Sequence, residues 1–541
     1  MNQLVLQRSY WPADESRSIR NISIGEALAQ AANAVPDRLA LVEVVTSLME
    51  SPVKSAQTNR EWTFHQLHGD ARRCASWLST RFSQGDRICV WAPNVPEWVV
   101  LQYGAALSGL VLVTANPALK PSELKYVIEQ SQSRAIFHLD QFRGVDTGSV
   151  ACQMEEAGIQ RYSLEGWLEE VRGTAEVVLP DVGPGWPAQI QYTSGTTGQP
   201  KGALLRHRAL VTNASYVAER AGLDGSVLVS PMPLFHTAGS VMSVLGSVTT
   251  RSTLILPLLF EPSVVLDAIA KWRAQVVFGV PTMLLAMIEQ VKSAPRDLGC
   301  LRATLSGGAP VPPELHKRVR EALKTPLMTV YGQTELSPIV AQTAFEDPEG
   351  ERIHTVGRPL WNVEVRVADP ATFEALPLGR EGEIQVRGYQ TMIEYFDKPE
   401  ETRETITNDG WLRTGDLGKM DTYGYLQVTG RLKDMIIRGG ENLYPVEIEA
   451  CLVRHPDVAD AAVFGVPDPK WGEVVVAAVR IRPGRNTTAE ALMAHCRIAM
   501  APHKAPTRWF SCAEFPLTAS GKVQKFKLRE ALANGALHPL P

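Results

Sequence analysis

Between Tyr192 and Gly202 the chain reads YTSGTTGQPKG. Thr193, Ser194, Thr196 and Thr197 bring hydroxyls, Gly195, Gly198 and Gly202 leave backbone amides uncovered, and Lys201 adds a cation. Hydroxyl donors, bare amides and a positive charge are the chemistry of a loop that holds phosphate. The best-known loop of that kind ends in Gly-Lys-Ser/Thr, whereas Lys201 stands between Pro200 and Gly202, so that template fails. A polar surface turn would have a similar composition. Against the plain turn, the stretch links an alternating AQIQY to GALLR, and Leu210, Ala214, Val217 and Ala221 then share one helical face. The loop connects regular elements, where functional side chains gather.

The elements around it alternate. Ser23 and Glu26, and again Thr63 and Gln66, have the spacing of capping boxes that open helices. After Thr63, Leu67, Ala71, Cys74 and Leu78 line one face, and Gly85–Asp86 leads into the strand RICVW. Pro96–Gly109 reads as a helix with proline in its first turn, followed by the strand LVLVTA; Pro121–Gln130 and RAIFHL repeat the order. Such alternation predicts an α/β fold of parallel sheets covered by helices. The texture changes near residue 430, and from Lys433 a helix, two strands and a helix (Pro445–Arg454, VADAAVFGV, EVVVAAVRI, Thr488–Met500) predict a small α+β domain. The expected domains are therefore 1–432 and 433–541.

With 541 residues, a net charge of −4 and no basic stretch, the chain has no electrostatic footprint for nucleic acid. Its seven cysteines are scattered without metal spacing, which suits reduced thiols and predicts a cytoplasmic protein. The amino terminus lacks a charged leader followed by an apolar stretch. The apolar run from Val99 is broken by Gln102, Gly104, Ser108 and Gly109, so it predicts a buried helix and strand, not a membrane span.

Further motifs follow in order: YGQTE (331–335), WLRTGD (411–416), GRLKDMIIRGGENLYPVEIE (430–449) and PLTASGKVQK (516–525). With the YTSGTTGQPKG stretch, they resemble the signatures of the AMP-forming adenylating enzymes, in that family's order and approximate spacing. That superfamily comprises acyl- and aryl-CoA synthetases, peptide-synthetase adenylation domains and luciferase; RGYQTMIEYF and IIRGGENLYP look most like its medium-chain and aryl branches.

The resemblance implies ATP-dependent ligation of a carboxylic acid to CoA through an acyl-adenylate, with Mg²⁺. By it, Thr193–Gly198 and Lys201 would hold phosphate, Tyr331 would stack on adenine above Gly308, Ala309 and Pro310, and Thr334 would touch the α-phosphate. Glu335, with Thr193, would hold the metal; Asp416 would take the ribose hydroxyls and Arg431 the nucleotide. His236 and Thr282, with Leu336 and Ser337, would border the acyl site. Lys522 would be the cation of the first step, carried on a small mobile carboxy-terminal domain that swivels at Lys433, and Gly439 and Gly440 would line the thiol path. MPLFHTAGS has no acidic residue to pair with a substrate ammonium, which points to a plain carboxylic acid. The same motifs suit a ligase loading a separate carrier protein and, in another class, a non-catalytic nucleotide-binding protein; a homodimer is compatible with the sequence.

Overall fold

Ser23 and Thr63 each open a helix in the computed structural model, which describes residues 4–46, 59–155, 158–193, 199–439, 441–517 and 523–541. In both, the hydroxyl accepts from the amide three residues on, and the cap's own amide donates to Glu26 or Gln66. Helix Pro96–Ser108 has its proline in the first turn and ends at Gly109, which takes the left-handed φ of 72°. The apolar run from Val99 is this helix plus the strand Val111–Ala115, buried almost throughout. Among the described residues no helix is long and apolar enough to cross a membrane.

Contact density divides the chain into two units, one comprising Trp11–Val365 and Val386–Leu412, the other Met1–Tyr10, Arg366–Gln385 and Arg413–Pro541. The larger holds two helix-covered sheets. One has seven strands, in the order Glu394–Tyr395, Lys201–Arg206, Pro187–Thr193, Val111–Ala115, Arg87–Trp91, Ala135–His138 and Gln160–Ser163. The last five run parallel, as helical crossovers require, and the first two are added antiparallel. The helix Pro121–Gln130 packs Leu124, Val127 and Ile128 onto Cys89, Val113 and Ile136 of this sheet.

The second sheet has nine strands. Its centre is a parallel run: Leu327–Gly332, Ala303–Gly307, Val276–Phe278, Val227–Val229, Thr253–Pro257 and Leu39–Val44. Val229, Ile255 and Val277 from these strands meet Val265, Leu284, Met287 and Val319 from the covering helices, all without exposure. Each such side chain contributes about 1.5–3 kcal/mol by leaving water.

The other unit contains the greater part of a five-stranded sheet, which includes Leu412–Met420 and Leu426–Arg431. Residues 4–10 are tied into this unit far along the chain: Leu6 N donates to Thr422 O, and Ser9 N and Val367 N bond Leu376 O and Ser9 O. It also holds a six-stranded sheet built on the long antiparallel pair Val458–Asp468 and Gly472–Ile481. Helices Pro445–Val453 and Ala489–Ala499 share one core with these strands, and helix Lys525–Ala533 sends Leu528 into a second. The boundary expected at Lys433 falls inside this unit, just after strand Leu426–Arg431.

Candidate active site

Four neighbouring parallel strands of the nine-stranded sheet empty at one edge. Val227–Val229 leads to the His236 loop, Val276–Phe278 to Thr282, Ala303–Gly307 to Gly308–Pro310, and Leu327–Gly332 to Thr334 and Glu335. Tyr331 is the last residue but one of its strand. Open α/β sheets gather ligands outside the carboxyl ends of their strands. Gly308 has φ 76° and is exposed, as are Pro310 and Thr282. Gly332 must be glycine, since a Cβ there would stand 2.0 Å from the Pro338 carbonyl oxygen. That close approach folds the chain back, so that Gln333 N donates to Pro338 O and Thr334–Leu336 makes a tight turn. Leu336 and Ser337 are fully buried, and the Ser337 hydroxyl donates to Gln390 O.

Glu335 is only 9% exposed and its carboxylate is held from one side. The Tyr395 hydroxyl donates to Oε1 at 2.6 Å, and Met392 N donates to the Glu335 carbonyl at 2.8 Å. Burial, and then the Glu335 charge, push the Tyr395 phenol up, so it stays a proton donor. Lys201 places its ammonium 5.1 Å from the centre of the same ring.

Lys201 and Thr193 face each other in antiparallel register, so the phosphate-loop candidate closes a hairpin. The Thr193 hydroxyl donates to Lys201 O at 3.4 Å. Tyr126 braces the hairpin from outside by donating to Pro200 O, and Tyr192 donates to Gln130 Oε1 at 2.5 Å. Gln191 reaches the other way: its amide nitrogen donates to Phe235 O at 2.6 Å, while Gln189 donates to Gln191 Oε1 and Ser240 Oγ. The strand that carries Thr193 thus also fixes the His236 loop. There the His236 carbonyl accepts from Gly239 N and Ser240 N, and Nδ1 accepts from Ala238 N. The helix that follows, Ala238–Leu245, has π geometry and is buried throughout. Wide turns of this kind frequently mark functional sites.

In the other unit Asp416 and Arg431 are direct partners across strands Leu412–Met420 and Leu426–Arg431, with Arg431 Nε donating to Asp416 Oδ1 at 3.0 Å. Asp416 is buried and Arg431 exposed. Lys433 is exposed in the tight turn Leu432–Asp434, and Gly439, at φ 60°, donates its amide to Trp471 O at the end of strand Ile436–Arg438. Ser194, Gly195, Thr196, Thr197, Gly198, Gly440 and Lys522 lie outside the described residues. Leu517 and Val523, on either side of the Lys522 segment, form an antiparallel bridge.

The sequence reading passed over Tyr395, Gln189 and Gln191. Two glutamines at i and i+2 share one face of a strand, and a polar pair on a strand inside a sheet is a legible sign of a tethering role. Tyr395 gives no such sign, since its partner lies 60 residues earlier.

The description "AMP-binding enzyme" matches residues 28–396, and "AMP-binding enzyme C-terminal domain" matches residues 447–522. The chain belongs to the AMP-binding enzyme family. YngI of Bacillus subtilis (strain 168) is 36% identical over 542 residues, covering 94% of this chain and 96% of its own. The mitochondrial medium-chain acyl-CoA ligase ACSF2 of Danio rerio is 34% identical, covering 97% and 91%. Among solved structures of AMP-binding enzymes and their kin, ATP-bound MatB from Rhodopseudomonas palustris superposes with a TM-score of 0.84 at 28% identity, over 95% of this chain and all of that one. The o-succinylbenzoate CoA synthetase MenE from Bacillus subtilis, in complex with its acyl-adenylate intermediate, gives 0.81 at 28% identity, over 93% and 97%.

Proposed function

We propose that this AMP-binding enzyme activates a medium-length, uncharged-tailed carboxylic acid. The enzyme is an AMP-forming acyl-CoA synthetase: it ligates a carboxylic acid to CoA through an acyl-adenylate, consuming ATP and releasing pyrophosphate and AMP. The observation that carries the reading is the convergence of His236, Thr282, Gly308–Pro310 and Tyr331–Glu335 at one edge of one sheet, tethered to the phosphate hairpin through Gln191 and Tyr395.

In the first step the substrate carboxylate, already ionised at neutral pH, forms a bond to the α-phosphorus of ATP as the bond to pyrophosphate breaks. No general base is needed, so positioning and charge neutralisation carry the step. Thr193 to Gly198 with Lys201 hold the phosphates, Tyr331 and Gly308–Pro310 take the adenine, and Asp416 with Arg431 takes the ribose side. Lys522 neutralises charge on the reacting groups. The donors at Glu335 and Thr193, a carboxylate and a hydroxyl, fit a hard dication, and Mg²⁺ held there would neutralise phosphate charge. In the second step the CoA thiol gives up its proton to solvent, its sulfur bonds to the acyl carbon, and the acyl carbon–oxygen bond breaks as AMP leaves with the electron pair. A swivel of residues 433–541 about Lys433 exchanges Lys522 for Gly439 and Gly440 between the steps.

For the acid itself, the loop MPLFHTAGS supplies no carboxylate for an ammonium. The names of the ACSF2 relatives support a medium chain. Pyrophosphate release measured over hexanoate, octanoate, decanoate, benzoates, palmitate and amino acids should give the highest kcat/KM for the first three. A higher value for an aryl, long-chain or amino acid would sink the medium-chain reading. Acceptor competition between CoA and carrier proteins, read as thioester formed, should favour CoA. The scattered thiols suit a cytoplasmic enzyme.

A further inference from the structure

We infer that Tyr395 is a positioning residue for Glu335: its phenol occupies one carboxylate oxygen, so that the other is the one that would meet a metal. This rests on the reading of Glu335 as the acidic metal-holding group.

The geometry is a clamp. The segment Met392–Phe396 is stitched to both sides of the phosphate machinery. Met392 N donates to Glu335 O, while Ile393 N and Phe396 N donate to Leu204 O and Gly202 O on the outgoing strand of the hairpin, each at 2.8 Å. Tyr395 lies opposite Ala203 in antiparallel register, and its own amide donates to Thr402 Oγ1 in helix Pro399–Thr405. With its backbone fixed on both sides and its ring 7% exposed, the hydroxyl donates to the Glu335 carboxylate at 2.6 Å, with the Thr405 side chain as its second hydrogen-bonding neighbour.

A glutamate carries three rotatable bonds, and an unheld carboxylate must be ordered each time it meets a cation. A neutral phenol orders it in advance without cancelling its charge, which an arginine would do. Groups behind metal-holding side chains typically affect metal affinity by about tenfold to a hundredfold. The face of the same ring fixes the Lys201 ammonium, so one side chain sets the spacing of the loop cation and the acid.

Tyr395→Phe tests this, because it keeps the ring, its packing and its contact with Lys201 and removes only the hydroxyl. Calorimetric titration of the full chain with a non-hydrolysable ATP analogue, with Mg²⁺ and then with EDTA, is the readout. The metal-dependent part of the affinity should fall about tenfold to a hundredfold. Affinity in EDTA, the KM for the carboxylic acid and the thioester step from supplied acyl-adenylate should stay at wild-type values. Added to Glu335→Gln, the change should do nothing more. If Tyr395→Phe leaves the Mg²⁺ dependence intact while Glu335→Gln abolishes it, the positioning role is wrong and the Glu335 reading stands. If affinity falls equally with and without metal, or falls again in the Glu335→Gln background, Tyr395 is only a packing residue. If Glu335→Gln itself keeps full Mg²⁺ dependence, the reading of Glu335 fails first and takes this role with it.

Discussion

Asp416 shares its buried carboxylate with the Arg431 guanidinium, so a ribose bound there enters an existing charge-assisted pair. Asp416→Asn keeps the shape and removes the charge; hydrogen bonds to charged groups are worth about 1.5–3 kcal/mol, so the KM for ATP should rise at least tenfold. An unchanged KM for ATP would remove Asp416 from the nucleotide site. Lys522→Ala should slow adenylate formation by about a hundred- to a thousandfold, the range for losing one electrostatic stabiliser. Thioester formation from supplied acyl-adenylate should be nearly spared, and equal loss in both assays would refute the lysine's role. At this scale the motifs in the sequence named the residues and left out their partners. Nothing in WLRTGD or YGQTE states that Asp416 meets Arg431 in register or that Glu335 meets Tyr395, because contacts across 15 or 60 residues are set by how whole sheets pair and pack.

The elements were legible wherever local chemistry decides them. Both capping boxes open helices, and the strands RICVW and LVLVTA lie where apolar runs end at turn residues. Alternation of helix and strand gave the parallel interior of both sheets. It gave no sign of the antiparallel edges Lys201–Arg206 and Ile339–Gln342, which follow from short links that leave no room for a crossover. The first of these pairs the two strands that flank the phosphate-loop candidate, and the incoming strand also secures the His236 loop. Gln191→Leu should therefore release the Phe235 carbonyl and raise the KM for the carboxylic acid about tenfold, the cost of leaving a buried acceptor unpaired. The KM for ATP should move little, and a reversed pattern would disprove the tether. Lys433→Pro fixes φ in the turn Leu432–Asp434 and should slow the thiol step while pyrophosphate exchange persists. Equal loss of both would exclude a swivel there.

For the whole molecule, acid sensitivity follows from two buried imidazoles. Burial drives His207 and His316 from about 6.5 down to about 4. His207 accepts from Ile24 N through Nδ1 and has no exposure, so the native state keeps it neutral while the unfolded chain protonates. The stability this costs is absent above pH 6.5, grows as pH falls towards about 4 and is then constant. For His207 the full loss is about 3 kcal/mol. Melting temperature should fall across that window, and His207→Gln should flatten the slope. An unaltered slope in the variant would exonerate His207.

Ser9 spends its hydroxyl on the carbonyl of Pro377, 368 positions onward, and Leu6 is bound to Thr422. On a ribosome, then, residues 6–9 must wait while some 370 to 410 further residues are made before their partners emerge. Its nascent backbone amides are left to water, or to chaperones, until residues 376 and 422 have cleared the exit tunnel.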